Sequence, residues 1–309
     1  MFTMVEQEAD VLGDVMRALR DRVGSFTASV GVICGSGFSS FYESLRVEAI
    51  VDFAEIPHFP HIHLPGQVGE FVFGHLNDVQ VVLIRGRFHS YDGHSMETVT
   101  IPIKVMSLFG VKKLVVTNAA RSVNPKISAG TLMIISDHIG LPLLAGKHPL
   151  VGPLAQSFSG KRFTPMSDAY DVALRQLAWE VADEIGLASC VHRSGTYFMV
   201  SGPTYETRAE SRMILNMGGD VVGMSTVPEV AVARHCGMRV LGISLATNSI
   251  RNEHGPVASH DEVLRTARSR EQEIGNLLTE VIAKLDMETF SQIESRLEEA
   301  GAAYDATLE

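Results

Sequence analysis

Residues 202–248 read GPTYETRAESRMILNMGGDVVGMSTVPEVAVARHCGMRVLGISLATN. A loop leads into an amphipathic helix, a short strand at Val221-Val222, a second helix and an apolar strand carrying Val240, Leu241, Ile243 and Leu245. Strands alternating with helices predict a layered α/β fold. Chemically capable residues stand at the joints: Glu206 before the first helix, Met224-Ser225 where the short strand ends and the next helix is capped, and Thr247-Asn248 where the apolar strand ends. Ligands of open α/β sheets bind beyond the carboxyl ends of strands, so these joints are the predicted site.

Upstream, the same alternation continues. Val11, Val15, Met16 and Leu19 recur on one face and predict a helix over 6–22. Ser29–Cys34 reads as a buried strand running into Gly35-Ser36-Gly37, whose backbone N–H groups could receive an anion or merely turn the chain. The segments 70–76 and 79–85 read as a β-hairpin over Asn77-Asp78, delivering Arg87, His89 and Tyr91 at its end. Arg87 and His89, two apart on an extended segment, point the same way and suit an anion. A helix is expected over 96–109, strands over 113–117, 132–136 and 192–200, helices over 168–186 and 260–285, and an acidic helical tail over 288–309. Asn118-Ala119-Ala120 follow the 113–117 strand, where small residues let a ligand approach the backbone. Residues 140–167 carry little periodicity and predict a functional loop.

Composition bounds the class. With 309 residues, 45% hydrophobic and 20% charged, the chain can bury a large core. A net charge of −10 argues against broad nucleic-acid or anionic-membrane binding. Cys34, Cys190 and Cys236 lie in apolar settings, which fits buried thiols in a reducing compartment. The acidic, helical N-terminal segment lacks the pattern of a secretory signal, and no run reaches the length of a membrane span. A soluble, cytoplasmic protein is expected. His58, His61 and His63 stand among prolines without a Cys or carboxylate at ligand spacing, so no metal site is expected there.

Two groupings emerge at the strand ends. Ser36, Arg87, His89 and Ser225 could form an anion cradle. Glu206 and Asn248 form an acid–amide pair: a carboxylate accepts N–H groups, whereas an amide both donates and accepts. The pair suits the edge of a 6-oxopurine, Glu206 taking N1–H and a 2-amino group, Asn248 taking O6 and N7. Gly223-Met224-Ser225-Thr226-Val227 breaks the nucleophile-elbow pattern of serine hydrolases at its last position.

The motifs GVICGSG (31–37), GRFHSYDGH (86–94), LVVTNAA (114–120), MSDAYD (166–171), GTYFMVSGPTYET (195–207), VVGMSTVPEVAVARHCG (221–237) and SLATN (244–248) occur in this order. On them the chain resembles the trimeric purine nucleoside phosphorylases that act on 6-oxopurine nucleosides, over residues 6–285. The resemblance implies a single domain over 1–285, a mixed β-sheet partly closed into a barrel and surrounded by helices, followed by the acidic tail over 286–309. It implies reversible phosphorolysis of inosine or guanosine, inorganic phosphate as co-substrate, no cofactor and no metal. It assigns phosphate to Ser36, Arg87, His89, Ala119 and Ser225, ribose to Tyr91, Met224 and His260, and the base to Tyr205, Glu206, Val222, Thr247 and Asn248. Glu206, Asn248 and His89 carry the catalytic roles. Phe163 matches an aromatic that closes a neighbouring subunit's pocket, implying a homotrimer. A sister enzyme acting on 5′-methylthioadenosine would place an acidic residue at 248, where this chain has asparagine. A nucleoside-binding paralogue with low catalysis is a further alternative.

The chain departs from the family pattern at two places. Gln67 replaces a histidine, keeping a hydrogen-bond donor but not a cation. Arg121-Ser122 replaces two glycines. Arginine there either strains a turn of positive φ or adds a charge close to the phosphate.

Overall fold

A computed structural model describes residues 4–35, 38–60, 68–152, 162–249, 260–285 and 288–305. In chain order come helix α1 (Met4–Val23) and strands β1 (Val30–Cys34), β2 (Arg46–Asp52), β3 (Glu70–Leu76) and β4 (Val79–Arg85). Helix α2 (Met96–Leu108) leads to β5 (Lys113–Ser122), β6 (Leu132–Gly140), the short α3 (Leu141–Leu144) and α4 (Val172–Glu184). Then follow β7 (Val191–Met199), α5 (Arg208–Asn216), β8 (Val221–Gly223), α6 (Val227–His235), β9 (Arg239–Ser249), α7 (His260–Lys284) and α8 (Glu288–Asp305).

The strands form one mixed sheet in the order β2-β3-β4-β1-β5-β8-β7-β6-β9, and β9 returns to pair with β5. That last pairing is parallel and runs from Lys113↔Arg239 to Ser122↔Ser249. Five strands, β5-β8-β7-β6-β9, therefore close on themselves, while β1 to β4 extend outward as an open wing. This is the partly closed mixed sheet that the family resemblance implies.

Period-2 alternation places successive side chains on opposite faces. In β4, Val82 and Ile84 join one apolar cluster, with α1, α2 and α6, whereas Val81 and Leu83 join a second, with α4, α7 and α8. Both faces are covered, so the central strands read as continuous apolar runs. The acidic C-terminal helix carries part of the second cluster: Phe290 and Ile293 are buried, and Arg239 of β9 binds both Asp171 and Glu294. The three cysteines form no disulfide, and of the three expected as buried thiols only Cys34 is buried, Cys190 and Cys236 being partly exposed. No helix among the described residues is long and apolar enough to cross a membrane, and no group of three or more metal-binding side chains occurs among them. His61, His63 and Gln67 lie outside the described residues, whereas His58 bonds Asp14 of α1.

Several expected boundaries shift. β5 does not stop at Thr117 but runs to Ser122, held extended by β8 and β9 on its two sides. β6 likewise absorbs Asp137 and His138. β2, unforeseen from sequence, is an edge strand whose residues are mostly exposed, so it lacks the apolar alternation that marks a strand. α4 starts at Val172 rather than Asp168, because Asp171 caps it by accepting from the Leu174 N–H at 2.9 Å.

Candidate active site

One pocket gathers the polar strand ends: Arg87, His89 and Tyr91 after β4, Ala119 to Arg121 late in β5, Tyr205 and Glu206 before α5, Val222 to Ser225 at β8, and Thr247 and Asn248 in β9. Two sequence-predicted residues cannot be placed. Ser36 lies outside the described residues, and His260 opens α7 with a side chain that is not described. Phe163 is 86% exposed and does not line this pocket.

At the anion end, Arg87 is buried and three-pronged. Its Nε donates to Glu229 Oε1 at 2.9 Å and its Nη1 to the Thr117 carbonyl at 3.2 Å. Nη2 is enclosed without a hydrogen bond. A buried donor left unpaired is costly, and a bound anion would satisfy it. Gly35 makes this approach possible: a Cβ there would lie 2.6 Å from the Thr117 carbonyl oxygen and 3.0 Å from Arg87 Nη1.

Glu229 was not foreseen, yet Thr226-Val227-Pro228-Glu229 carries the Ser/Thr-x-x-Glu signature of a helix start. Its other oxygen, Oε2, accepts from the Thr226 N–H at 2.8 Å, so one carboxylate both opens α6 and fixes Arg87. The cap of α6 is thus Thr226, not Ser225 as the sequence suggested. Thr226 has φ +74°, a left-handed conformation rare for a β-branched residue. It is held by the Asn118 amide, which donates from Nδ2 to Thr226 Oγ1 at 3.0 Å. Such strain costs about 1–3 kcal/mol and persists where surrounding structure enforces it. Here it accompanies the presentation of Ser225, whose N–H donates to the buried Tyr197 hydroxyl at 3.3 Å.

His89 stacks on Tyr91, with ring centroids 4.5 Å apart and planes 15° apart. Its Nδ1 is enclosed without a hydrogen bond, the nearest Asp92 oxygen standing 3.8 Å away. Burial pushes the imidazole pKa down to about 3, with the Arg87 and His94 charges adding to the effect. His89 is therefore neutral at physiological pH, and the cradle carries the charge of Arg87 against that of Glu229. Burial, followed by the Asp92 carboxylate, raises the Tyr91 hydroxyl to about 12. Gly202 folds over this region at φ +70°; a Cβ on it would lie 2.5 Å from Met224 Sδ and 3.1 Å from Tyr91 Cδ1. Two of the three residues assigned to ribose, Tyr91 and Met224, thus stand against one glycine.

At the other end, β8, β5 and β9 align Val222, Arg121 and Asn248 side by side in register. Thr247 Oγ1 donates to the Ala120 carbonyl at 3.2 Å, and Asn248 is 7% exposed. Burial raises the Glu206 carboxyl above the usual carboxylate range, against the pull of Arg121. Arg121 has the extended backbone of a strand, so no positive φ strains it. Its guanidinium reaches Glu206, with Nη1 3.6 Å from Oε2. The charge foreseen beside the phosphate faces the acid–amide end instead. Tyr205, 41% exposed, stands at the mouth.

Comparison with known proteins places this geometry. The family model described as the phosphorylase superfamily matches residues 29–283. The purine nucleoside phosphorylase of Bos taurus is 45% identical over 258 residues, 83% of this chain and 89% of the bovine protein. Purine nucleoside phosphorylase 1 of Geobacillus stearothermophilus is 48% identical over 237 residues, 77% of this chain and 84% of its own length. The crystal structure of Schistosoma mansoni purine nucleoside phosphorylase in complex with inosine is similar with a TM-score of 0.85 at 41% identity, covering 90% of this chain and 98% of that one. Motif order, barrel closure and sequence identity agree: the chain belongs to the phosphorylase superfamily and, within it, to the purine nucleoside phosphorylases.

Proposed function

We propose that the chain catalyses reversible phosphorolysis of inosine, guanosine and their deoxy forms, giving the free purine and (deoxy)ribose 1-phosphate with inversion. One observation carries this reading: a single cleft holds an enclosed arginine with an unfilled N–H prong at one end and a carboxylate–amide pair at the other. The inosine complex of the Schistosoma relative supports the nucleoside class.

In this reading phosphate sits on Arg87, His89, Ser225, Ser36 and the Ala119 backbone. Tyr91, Met224 and His260 hold the ribose; Tyr205, Val222 and Thr247 flank the base. As the C1′–N9 bond breaks, its electron pair moves to the purine and the sugar becomes oxocarbenium-like. An oxygen of hydrogen phosphate bonds to C1′ from the opposite face, and the proton that phosphate gives up ends on the base. Asn248 stabilises the negative charge developing at N7, and Glu206 accepts from N1–H. His89, uncharged, donates one hydrogen bond and leaves the anion's attacking oxygen unprotonated. Catalysis then rests on positioning and on fixed dipoles aimed at developing charge. The exposed ring of Phe163 supports a contact with a neighbouring pocket in a homotrimer.

The test is phosphate-dependent release of hypoxanthine from inosine, with methylthioadenosine and adenosine in parallel. Inosine should react and methylthioadenosine should not, since the unprotonated N1 of a 6-aminopurine would face the Glu206 carboxylate acceptor against acceptor. Turnover of methylthioadenosine alone would assign the sister activity; turnover of none would leave a binding protein.

A further inference from the structure

The Arg121–Glu206 pair is absent from the sequence pattern on which the family resemblance rests, and its position is unusual for an ion pair. Arg121 leaves β5 between Val222 and Asn248, in the middle of the surface that faces the base. Its side chain is 16% exposed and that of Glu206 is 5% exposed, both on the pocket wall. At 3.6 Å the two are an ion contact but not a hydrogen bond. Arg121 Nε and Glu206 Oε2 are both enclosed without a hydrogen-bond partner. The base site therefore offers a donor and an acceptor, adjacent, buried and unfilled.

Each purine edge answers this pair differently. Hypoxanthine brings N1–H to the carboxylate but only C2–H to the guanidinium. Guanine brings a 2-amino donor toward a cation, donor against donor. Xanthine brings N1–H beside a C2 carbonyl, filling the acceptor and the donor at once. Xanthine nucleosides also lose their N3 proton near neutrality, placing negative charge on N3 and O2 beside arginine. We infer that Arg121 sets the base specificity of this site toward 2-oxo purines, so that xanthosine is cleaved in preference to guanosine. The bond changes are those of inosine cleavage, and the inference rests on the nucleoside reading of the site.

The experiment measures kcat/KM with saturating phosphate for inosine, guanosine and xanthosine, on the wild type, Arg121→Gly and Arg121→Met. Leaving a buried charged donor unpaired, or facing another donor, changes selectivity about tenfold or more. The wild type is expected to prefer xanthosine over guanosine by at least that factor, and both variants to reverse the ratio. Methionine keeps the bulk of the side chain without its charge, and a ratio within one preparation is insensitive to the fraction folded. A wild type that prefers guanosine, or a ratio unchanged in both variants, overturns the inference. If methionine preserves the wild-type ratio while glycine raises all three rates alike, Arg121 acts only as a plug and the inference also fails. The three substrates separate the two levels: turnover of none of them by the wild type sinks the nucleoside reading itself, whereas turnover with an indifferent xanthosine-to-guanosine ratio sinks only the role of Arg121.

Discussion

Replacing His89 tests the electrostatics of the anion cradle through stability rather than rate. The folded imidazole titrates at about 3, against 6.5 for the same group in an unfolded chain. A base whose folded pKa is depressed binds fewer protons folded than unfolded. Its contribution to stability is therefore full above pH 6.5 and fades as pH falls toward 3. Each pH unit below 6.5 costs about 1.4 kcal/mol, so lowering the pH from 8 to 5 should remove about 2 kcal/mol through this residue alone. At about 2–4 °C per kcal/mol, the melting temperature should fall by on the order of 5 °C more than it would without His89. His89→Asn keeps a donor and has no proton to gain. The assay is thermal unfolding of both proteins at pH 5, 6, 7 and 8. The wild type should approach, or fall below, the variant as the medium acidifies. Parallel curves over the whole range would refute the claim that burial holds His89 neutral.

Further substitutions address the rest of the site. Asn248→Ala and Glu206→Ala should each lower kcat/KM for inosine by about 10²–10³ while phosphate still raises the melting temperature; near-normal turnover by either would reject its role. Glu229→Ala, which strips Arg87 of its buried counter-charge, should cost about 3–5 kcal/mol in urea unfolding and raise the KM for phosphate, while Glu229→Gln, still able to accept from Nε, should cost less. An unchanged phosphate KM in both would detach Glu229 from the cradle. Gly202→Ala forces a Cβ against Met224 Sδ at positive φ; about 1–2 kcal/mol of stability should be lost and the nucleoside KM should rise, and a normal KM would mean that Met224 and Tyr91 do not hold the sugar.

Much of this was legible because local chemistry decided it. The hairpin fell on 70–76 and 79–85 as read, since segments rich in Phe, Val, Leu and Ile flank Asn77-Asp78, and Asn77 takes the left-handed conformation a tight turn needs. Arg87 and His89, alternate on an extended segment, do reach one pocket. What the sequence hid depends on partners far along the chain. Asn118 to Ser122 have little intrinsic strand preference, and only pairing with β8 and β9 keeps them extended. That register aims Arg121 at Glu206, which no local pattern around either residue reveals. β2 was missed because an exposed edge strand shows no apolar alternation. Glu229 could have been found: its capping signature was present, but helix-start residues are ordinarily read as structural rather than as orienting an arginine 142 positions away.

Whether one cleft holds an anion and a departing purine at its two ends is decided by a crystal structure with phosphate and hypoxanthine bound. A phosphate oxygen should lie within hydrogen-bond distance of Arg87 Nη2, and the purine edge should lie against Asn248 and Glu206. A ring bound away from those two side chains, or an anion that ignores Arg87, would contradict that arrangement.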